Sequence, residues 1–157
     1  MTPVFQRVID PEHGDCHRAA VASILDLALD DVPGDMQNGL AAERWLRDRG
    51  LSALHLESHR MKARRPRGST GTEPWDVRRL VRYDYAAGSV ALASVPSQRF
   101  PGGWHAIVVS FVLQSEGWVR CECVHDPNPG NVPYDMRRTK IRELTFFLPR
   151  WRVGAEP

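Results

Sequence analysis

The chain has 157 residues, of which 42% are hydrophobic and 25% charged, so its composition predicts a globular protein with one domain over residues 1–157. A formal net charge of +2 is too small to predict nucleic-acid binding, and no apolar run approaches the ~20 residues of a membrane span. The N-terminus "MTPVFQRVIDPEHGD" lacks the hydrophobic region of a signal peptide, and three cysteines make a poor disulfide framework. We therefore expect a reduced, cytoplasmic protein that binds neither nucleic acid nor membrane.

Two helices are predicted in the first third of the chain. In the first, residues 16–29, Ala, Val, Ile and Leu recur at helical spacing, and Pro33 is expected to prevent its continuation. The second, residues 38–49, is amphipathic, and Gly50 supplies its C-terminal stop.

The middle of the chain is more varied. Residues 51–57, "LSALHLE", alternate as a strand does, and residues 75–87 are predicted to form a short helix or turn. Between them, residues 58–74 form a predicted loop with five Lys or Arg between positions 60 and 67. Such a charge run favours a solvated loop over a binding site for an acidic partner.

The remainder of the chain reads as β-structure. The run "WHAIVVSFVL" is apolar at successive positions, which predicts a central strand covered on both faces. Helices followed by a series of strands indicate an α+β fold with a mostly antiparallel sheet. The predicted strands are 89–95, 104–113, 118–126 and 141–148.

Cys16 stands at the start of the first predicted helix, directly after Asp15, a residue type that favours the N-cap. Unpaired N–H groups and the helix dipole stabilise a thiolate at this position, and the Cys16 N–H can serve as an oxyanion donor. We expect Gly14 to leave room for a substrate backbone. A small residue that merely begins a helix is the competing interpretation.

A reactive cysteine needs a base, and six histidines are available. His105 is distinguished by its place at the start of the central strand, directly after a Gly-Gly loop. If the following hairpin turns between Ser115 and Glu116, Asp126 lies directly opposite His105, with Cβ atoms ~5 Å apart. A bulge at Gly117 shifts this register by one residue.

The ordered elements "VFQ", "GDCHRAAVASIL", "WHAIVV" and "HDPNPG" resemble those of the papain-like cysteine peptidase superfamily, and within it the bacteriocin-leader peptidase-like branch. The resemblance spans residues 4 to about 130. It implies a papain-like fold in which the helices pack on the sheet, and a peptide or protein substrate whose amide or isopeptide bond is hydrolysed through a thioester. It implies no cofactor.

By that resemblance Cys16 is the nucleophile, His105 the base and acid, Asp126 the residue that orients His105, and Gln6 the side-chain oxyanion donor. Gln6 lies ten residues before Cys16, whereas about six is usual in the family, so "IDPEHG" must bulge outward. His17 stands where exporter-type members commonly have Gly, which alters the cleft.

Three other interpretations are open. "CECVH" and "HGDCH" contain zinc-ligand residue types, although alternate residues of one strand lie ~7 Å apart, too far to share an ion without a bend, so no metal is expected. A peptide- or ubiquitin-like-binding module could have the same fold without catalysis. An acyltransferase could use the same three residues and deliver the acyl group to an amine or thiol.

Overall fold

The computed structural model has an α+β architecture and describes residues 1–10, 12–36, 39–57, 87–115 and 119–150. The predicted basic loop 58–74 and residues 75–86 of the next predicted segment lie outside these ranges. The elements are helices α1 (Cys16–Leu25) and α2 (Gly39–Asp48), a 3-10 turn (Leu29–Asp31), and strands β1 (Leu51–Glu57), β2 (Val90–Pro96), β3 (Trp104–Leu113), β4 (Val119–His125) and β5 (Glu143–Pro149).

The five strands form one sheet in the order β1-β5-β2-β3-β4, and every neighbouring pair is antiparallel. The predicted antiparallel sheet is thus confirmed, and β5 lies between β1 and β2. At one end of the sheet lie the start of β3, the end of β2 and the start of β5, because Pro96 pairs with Trp104 and Ser94 with Glu143. Among the described residues, no helix is long and apolar enough to cross a membrane.

Strand β3 is covered on both faces, as its sequence predicts. Ala106 and Val108 join a buried cluster with α1, while Ile107 and Val109 join the cluster on the opposite face. Helix α1 can approach the sheet closely because its buried side chains are small. They are Ala19, Ala20, Val21, Ala22 and Ser23, all without solvent exposure.

The first helix is shorter than predicted: it ends at Leu25, not at residue 29. Asp26 adopts the left-handed conformation, with φ 54° and ψ 43°, and the Leu27 N–H then donates to the carbonyl of Ala22 at 2.9 Å. This is a helix-ending geometry usually given by glycine, so Pro33 is not the terminator. The second helix ends as predicted, with Gly50 at φ +69°.

Candidate active site

Cys16 is the first residue of α1, as the sequence predicts, but Asp15 does not cap the helix with its side chain. The Asp15 carboxylate instead accepts hydrogen bonds from the backbone N–H groups of Arg7 (3.1 Å) and Val8 (3.0 Å). It thereby fastens the N-terminal segment beside the helix mouth. The backbone N–H groups of Ala106 and His17 hydrogen-bond to the Cys16 sulfur.

The extra residues between Gln6 and Cys16 close into a turn. The Asp10 side chain accepts the N–H groups of Glu12 (2.8 Å) and His13 (2.7 Å), and the Gly14 N–H donates to the Asp10 carbonyl at 3.1 Å. A Cβ atom on Gly14 would lie 2.4 Å from that carbonyl oxygen. The turn therefore requires glycine at this position. Gly14 also lines the cleft beside Cys16, and its role of leaving room for a substrate backbone stays a prediction.

Gln6 lies along the same small cleft as Cys16 and His105. Its backbone N–H donates to the carbonyl of Pro127 at 3.0 Å, so the residue is held next to the segment that follows β4. Its side-chain Oε1 is buried and has no hydrogen-bond partner among the described residues. Gln6 therefore reaches the cleft, and its role as an oxyanion donor stays a prediction.

His105 contacts both of the residues with which the sequence groups it. Its Nε2–H donates to Oδ1 of Asp126 at 2.6 Å, and the ring also hydrogen-bonds to the Cys16 side chain. Because Asp126 engages Nε2, Nδ1 is the nitrogen left to face the thiol. The His105 and Asp126 side chains are only 8% and 15% exposed, so little water screens their interaction.

The predicted register that led to this pair is wrong. Val109 pairs with Cys123, one residue away from the predicted partner, and Val108 pairs with His125, two residues away. The second shift comes from a β-bulge that leaves Val124 as the extra residue. Asp126 is therefore not directly opposite His105. It lies just past the end of β4 and reaches His105 from there.

The charges within this cluster favour a thiolate–imidazolium pair. Burial raises the pKa of Cys16, but the hydrogen bonds from His105 and the Ala106 N–H, together with the His105 charge, bring that pKa below its ordinary value. Burial lowers the pKa of His105, yet Asp126 and Cys16 outweigh it and raise that pKa to about 9. The imidazole thus keeps its proton at neutral pH.

The pKa of Cys123 is shifted in the opposite direction from that of Cys16. Burial and the negative charge of Asp126 raise the pKa of the Cys123 thiol to about 11. No imidazole compensates for them, so this thiol stays protonated at neutral pH. The pKa values of Cys16 and Cys123 are therefore shifted in opposite directions, because Cys16 contacts His105.

The other described histidines are engaged elsewhere. His13 is exposed beside Asp10, and His125 Nε2–H donates to the Val4 carbonyl at 2.8 Å. His17 lines a second cavity of about 680 Å³ together with residues of α2, β1 and β5, including His55. Successive helical residues point ~100° apart, which separates His17 from Cys16. Within the described ranges, no three His, Cys, Asp or Glu residues are grouped so that they could hold a metal ion.

Sequence reasoning missed two side chains that contact this site, those of Asn131 and Tyr134. Asn131 Nδ2 donates to Oδ2 of Asp126 at 2.9 Å, and the Asn128 N–H donates to Oδ1 at 2.8 Å. The Tyr134 ring stacks on His105 with centroids 6.3 Å apart, and its hydroxyl donates to the Pro96 carbonyl at 3.1 Å. The run "DPNPGN" is typical of a turn, and this turn chemistry conceals the contacts that the asparagines make with Asp126.

No protein-family model, curated protein or solved structure matches this chain. The fold and the cleft by themselves define an α+β protein with a cysteine, a histidine and a carboxylate in successive contact.

Proposed function

We propose that the protein is a papain-like, cysteine-dependent hydrolase that cleaves a peptide, isopeptide or related amide bond in a cytoplasmic peptide or protein substrate. One observation carries the proposal: Cys16, His105 and Asp126 are linked by hydrogen bonds, and the pKa values of the first two are shifted in opposite directions. This electrostatic arrangement suits a nucleophilic thiol with an adjacent acid–base group.

The placement of the three residues also supports the papain-like assignment. Cys16 begins a helix that packs on β2 and β3, His105 lies at the start of β3, and Asp126 follows β4. Each residue lies at or next to the terminus of a helix or strand, and these termini meet at one end of the sheet. Such placement holds catalytic groups in fixed geometry.

In the proposed reaction, the Cys16 thiolate attacks the carbonyl carbon of the scissile bond and forms a tetrahedral oxyanion. The Cys16 N–H and the Gln6 side chain donate hydrogen bonds to that oxygen. The C–N bond then breaks as protonated His105 gives its proton to the leaving amine, which leaves a thioester on Cys16. Neutral His105 next takes a proton from water, and the resulting hydroxide equivalent hydrolyses the thioester and releases the thiolate.

An activated ester tests the chemistry independently of the natural substrate. On mixing with p-nitrophenyl acetate, we expect a burst of p-nitrophenol and an acetyl group on Cys16, located by mass spectrometry of peptides. The Cys16→Ala variant should lose the burst, and the matched control Cys123→Ala should keep it. Continued turnover in water indicates a hydrolase, whereas turnover only with an added amine or thiol indicates an acyltransferase.

Absence of an acetyl adduct on Cys16 in the folded wild-type protein contradicts the proposal and favours a binding module. Electrophilic peptide and ubiquitin-like probes then define the substrate class. We expect one group of probes to modify Cys16 much faster than the others.

A further inference from the structure

The Asp126 carboxylate is held on both of its oxygens. Oδ1 accepts the His105 Nε2–H at 2.6 Å and the Asn128 backbone N–H at 2.8 Å, and Oδ2 accepts Nδ2 of Asn131 at 2.9 Å. Rotation of the carboxylate away from His105 therefore breaks more than one charge-assisted hydrogen bond. Three donors also favour the ionised form, so the pKa of Asp126 stays below its ordinary value although burial raises it.

The direction of these hydrogen bonds is fixed by a backbone group. The Gly130 N–H can only donate, and it donates to Oδ1 of Asn128 at 3.1 Å. The Asn128 amide is thereby oriented so that its Nδ2 donates to Oδ1 of Asn131 at 3.0 Å. The Asn131 amide is oriented in turn with its Nδ2 toward Asp126, and each step leaves a donor, not an acceptor, facing the next oxygen.

We propose that Asn131 is a positioning residue of the Cys16–His105–Asp126 site, which it serves by presenting a fixed donor to Asp126. This inference rests on the proposed function and adds to it a residue that acts through Asp126. Through Asp126, the Asn131 amide keeps the His105 ring in hydrogen-bond contact with Cys16, and that contact lowers the pKa of the thiol. The charge state of the nucleophile thus depends on a hydrogen-bond series that begins at the Gly130 N–H.

The turn has anchors that do not involve the Asn131 side chain. The Asn131 backbone N–H donates to the Asn128 carbonyl at 3.2 Å, and this bond survives replacement of the side chain. Gln98, in the β2–β3 loop, forms two hydrogen bonds with the backbone of Val132, the residue after Asn131. Its Nε2 donates to the Val132 carbonyl at 2.7 Å, and its Oε1 accepts the Val132 N–H at 3.1 Å. Gln98→Ala is therefore a matched control that loosens the same loop without removing a donor from Asp126.

The test measures the pH midpoint of Cys16 alkylation by iodoacetamide in wild type, Asn131→Ala and Gln98→Ala. Loss of this hydrogen bond to a charged group leaves one oxygen of Asp126 unrestrained, so the carboxylate can rotate away from His105. We therefore expect Asn131→Ala to react roughly tenfold more slowly near pH 6.5. Its midpoint should move upward. The Gln98→Ala midpoint should remain that of wild type.

The Asn131→Asp variant keeps the size of the side chain but replaces the donor with a second carboxylate. At low pH a shared proton can serve as the donor, so the variant should approach wild-type reactivity. As pH rises and that proton is lost, two carboxylates face each other. The ratio of variant to wild-type rate should then fall below that of Asn131→Ala.

The outcomes separate the two proposals, once circular dichroism shows that the variants are folded. An ordinary thiol midpoint for Cys16 in the wild type overturns the proposed function and this inference with it. A lowered wild-type midpoint that Asn131→Ala and Asn131→Asp leave unchanged overturns this inference alone. If Asn131→Ala does not fold, the nearly isosteric Asn131→Asp decides the question by its pH dependence.

Discussion

Two histidine–carboxylate pairs lie at the same end of the sheet, and they differ in depth. His105 and Asp126 are separated by 2.6 Å with side chains 8% and 15% exposed. His55 and Glu143 are separated by 2.9 Å with side chains 55% and 31% exposed. In both pairs the carboxylate raises the pKa of the histidine, yet only the inner pair contacts a cysteine.

The two pairs differ in their shielding from solvent and in the third group that each histidine contacts. Solvent screens the outer pair, and the third group on the His55 ring is the hydroxyl of Thr145, which stays neutral at ordinary pH. The inner pair is shielded, and its third group is the Cys16 thiol, which can become a counter-ion to the imidazolium. Burial and the identity of the third group therefore distinguish the two pairs more than the ion pair itself does.

Replacement of each histidine by alanine tests the difference between the two pairs most strongly. We expect His105→Ala to lower the rate of Cys16 acetylation by p-nitrophenyl acetate by about 10²- to 10⁴-fold, the usual size of a general acid–base contribution. The pH midpoint of Cys16 alkylation should rise toward the ~8.5 of a free thiol. His55→Ala, the matched control, should change neither quantity. Equal effects of the two variants would contradict the distinction between the pairs.

The effect of Gln6 on an oxyanion can be measured separately from the effect of His105 and Asp126 on the thiolate, because two reagents react with Cys16 by different mechanisms. Acetylation passes through a tetrahedral oxyanion, whereas iodoacetamide reacts by direct displacement and forms none. Gln6→Ala should therefore slow acetylation by about 10²- to 10³-fold. Its alkylation rate near pH 6.5 should stay that of wild type. A parallel loss in both reactions would mean that Gln6 acts on the thiolate or on folding instead.

Asp126 is expected to act by orienting His105, so the substituent at this position matters. Asp126→Asn can still accept a hydrogen bond from the imidazole, but its Nδ2 then faces the Nδ2 donor of Asn131. It should therefore keep more of the turnover than Asp126→Ala, which should lose about 10- to 1000-fold. Glu143→Gln, at the outer pair, should have no effect on turnover. The assay is turnover of p-nitrophenyl acetate by variants shown to be folded. If folded Asp126→Ala is as active as wild type, the site reduces to Cys16 and His105.

The smallest effect is expected from pH alone. We expect the Cys16 thiolate and the His105 imidazolium to coexist over a range of pH. This range begins at the lowered pKa of Cys16 and ends at the pKa of His105, about 9. With an amide substrate, the rate of acylation should rise as the thiol ionises, stay level through neutral pH, and fall above pH 9 as His105 loses the proton that it donates to the leaving amine. One unit above that pKa the fall should be roughly tenfold. A rate that keeps rising to pH 10 would indicate a lone thiolate as the reacting species.

Local patterns in the sequence predict much of the molecule and leave specific gaps. The helix start at Cys16 and the doubly covered strand β3 follow from residue type and spacing. The insertion of β5 between β1 and β2 does not, because strand order depends on packing between distant segments. The Asp15 side chain accepts hydrogen bonds from the backbone N–H groups of Arg7 and Val8 and does not cap the helix. The residue types around Asp15 do not predict this choice of partners.

The contact between His105 and Asp126 is a case in which the predicted register is wrong although the two residues do meet. The bulge at Val124 takes Asp126 out of the ladder, and the turn that follows returns its carboxylate to His105. The backbone N–H of Asn128 and the side chain of Asn131 hold it there. Their function was hidden because Asn, Pro and Gly are ordinary turn residues, and only the three-dimensional structure gives the direction of their hydrogen bonds.

The central claim is that contact with His105 makes Cys16 a thiolate at a pH where Cys123 remains a thiol. Limiting iodoacetamide near pH 6.5, followed by peptide mass spectrometry, measures this directly in the folded wild-type protein. We expect the label mainly on Cys16, with Cys123 unmodified. Equal labelling of all three cysteines would contradict the account.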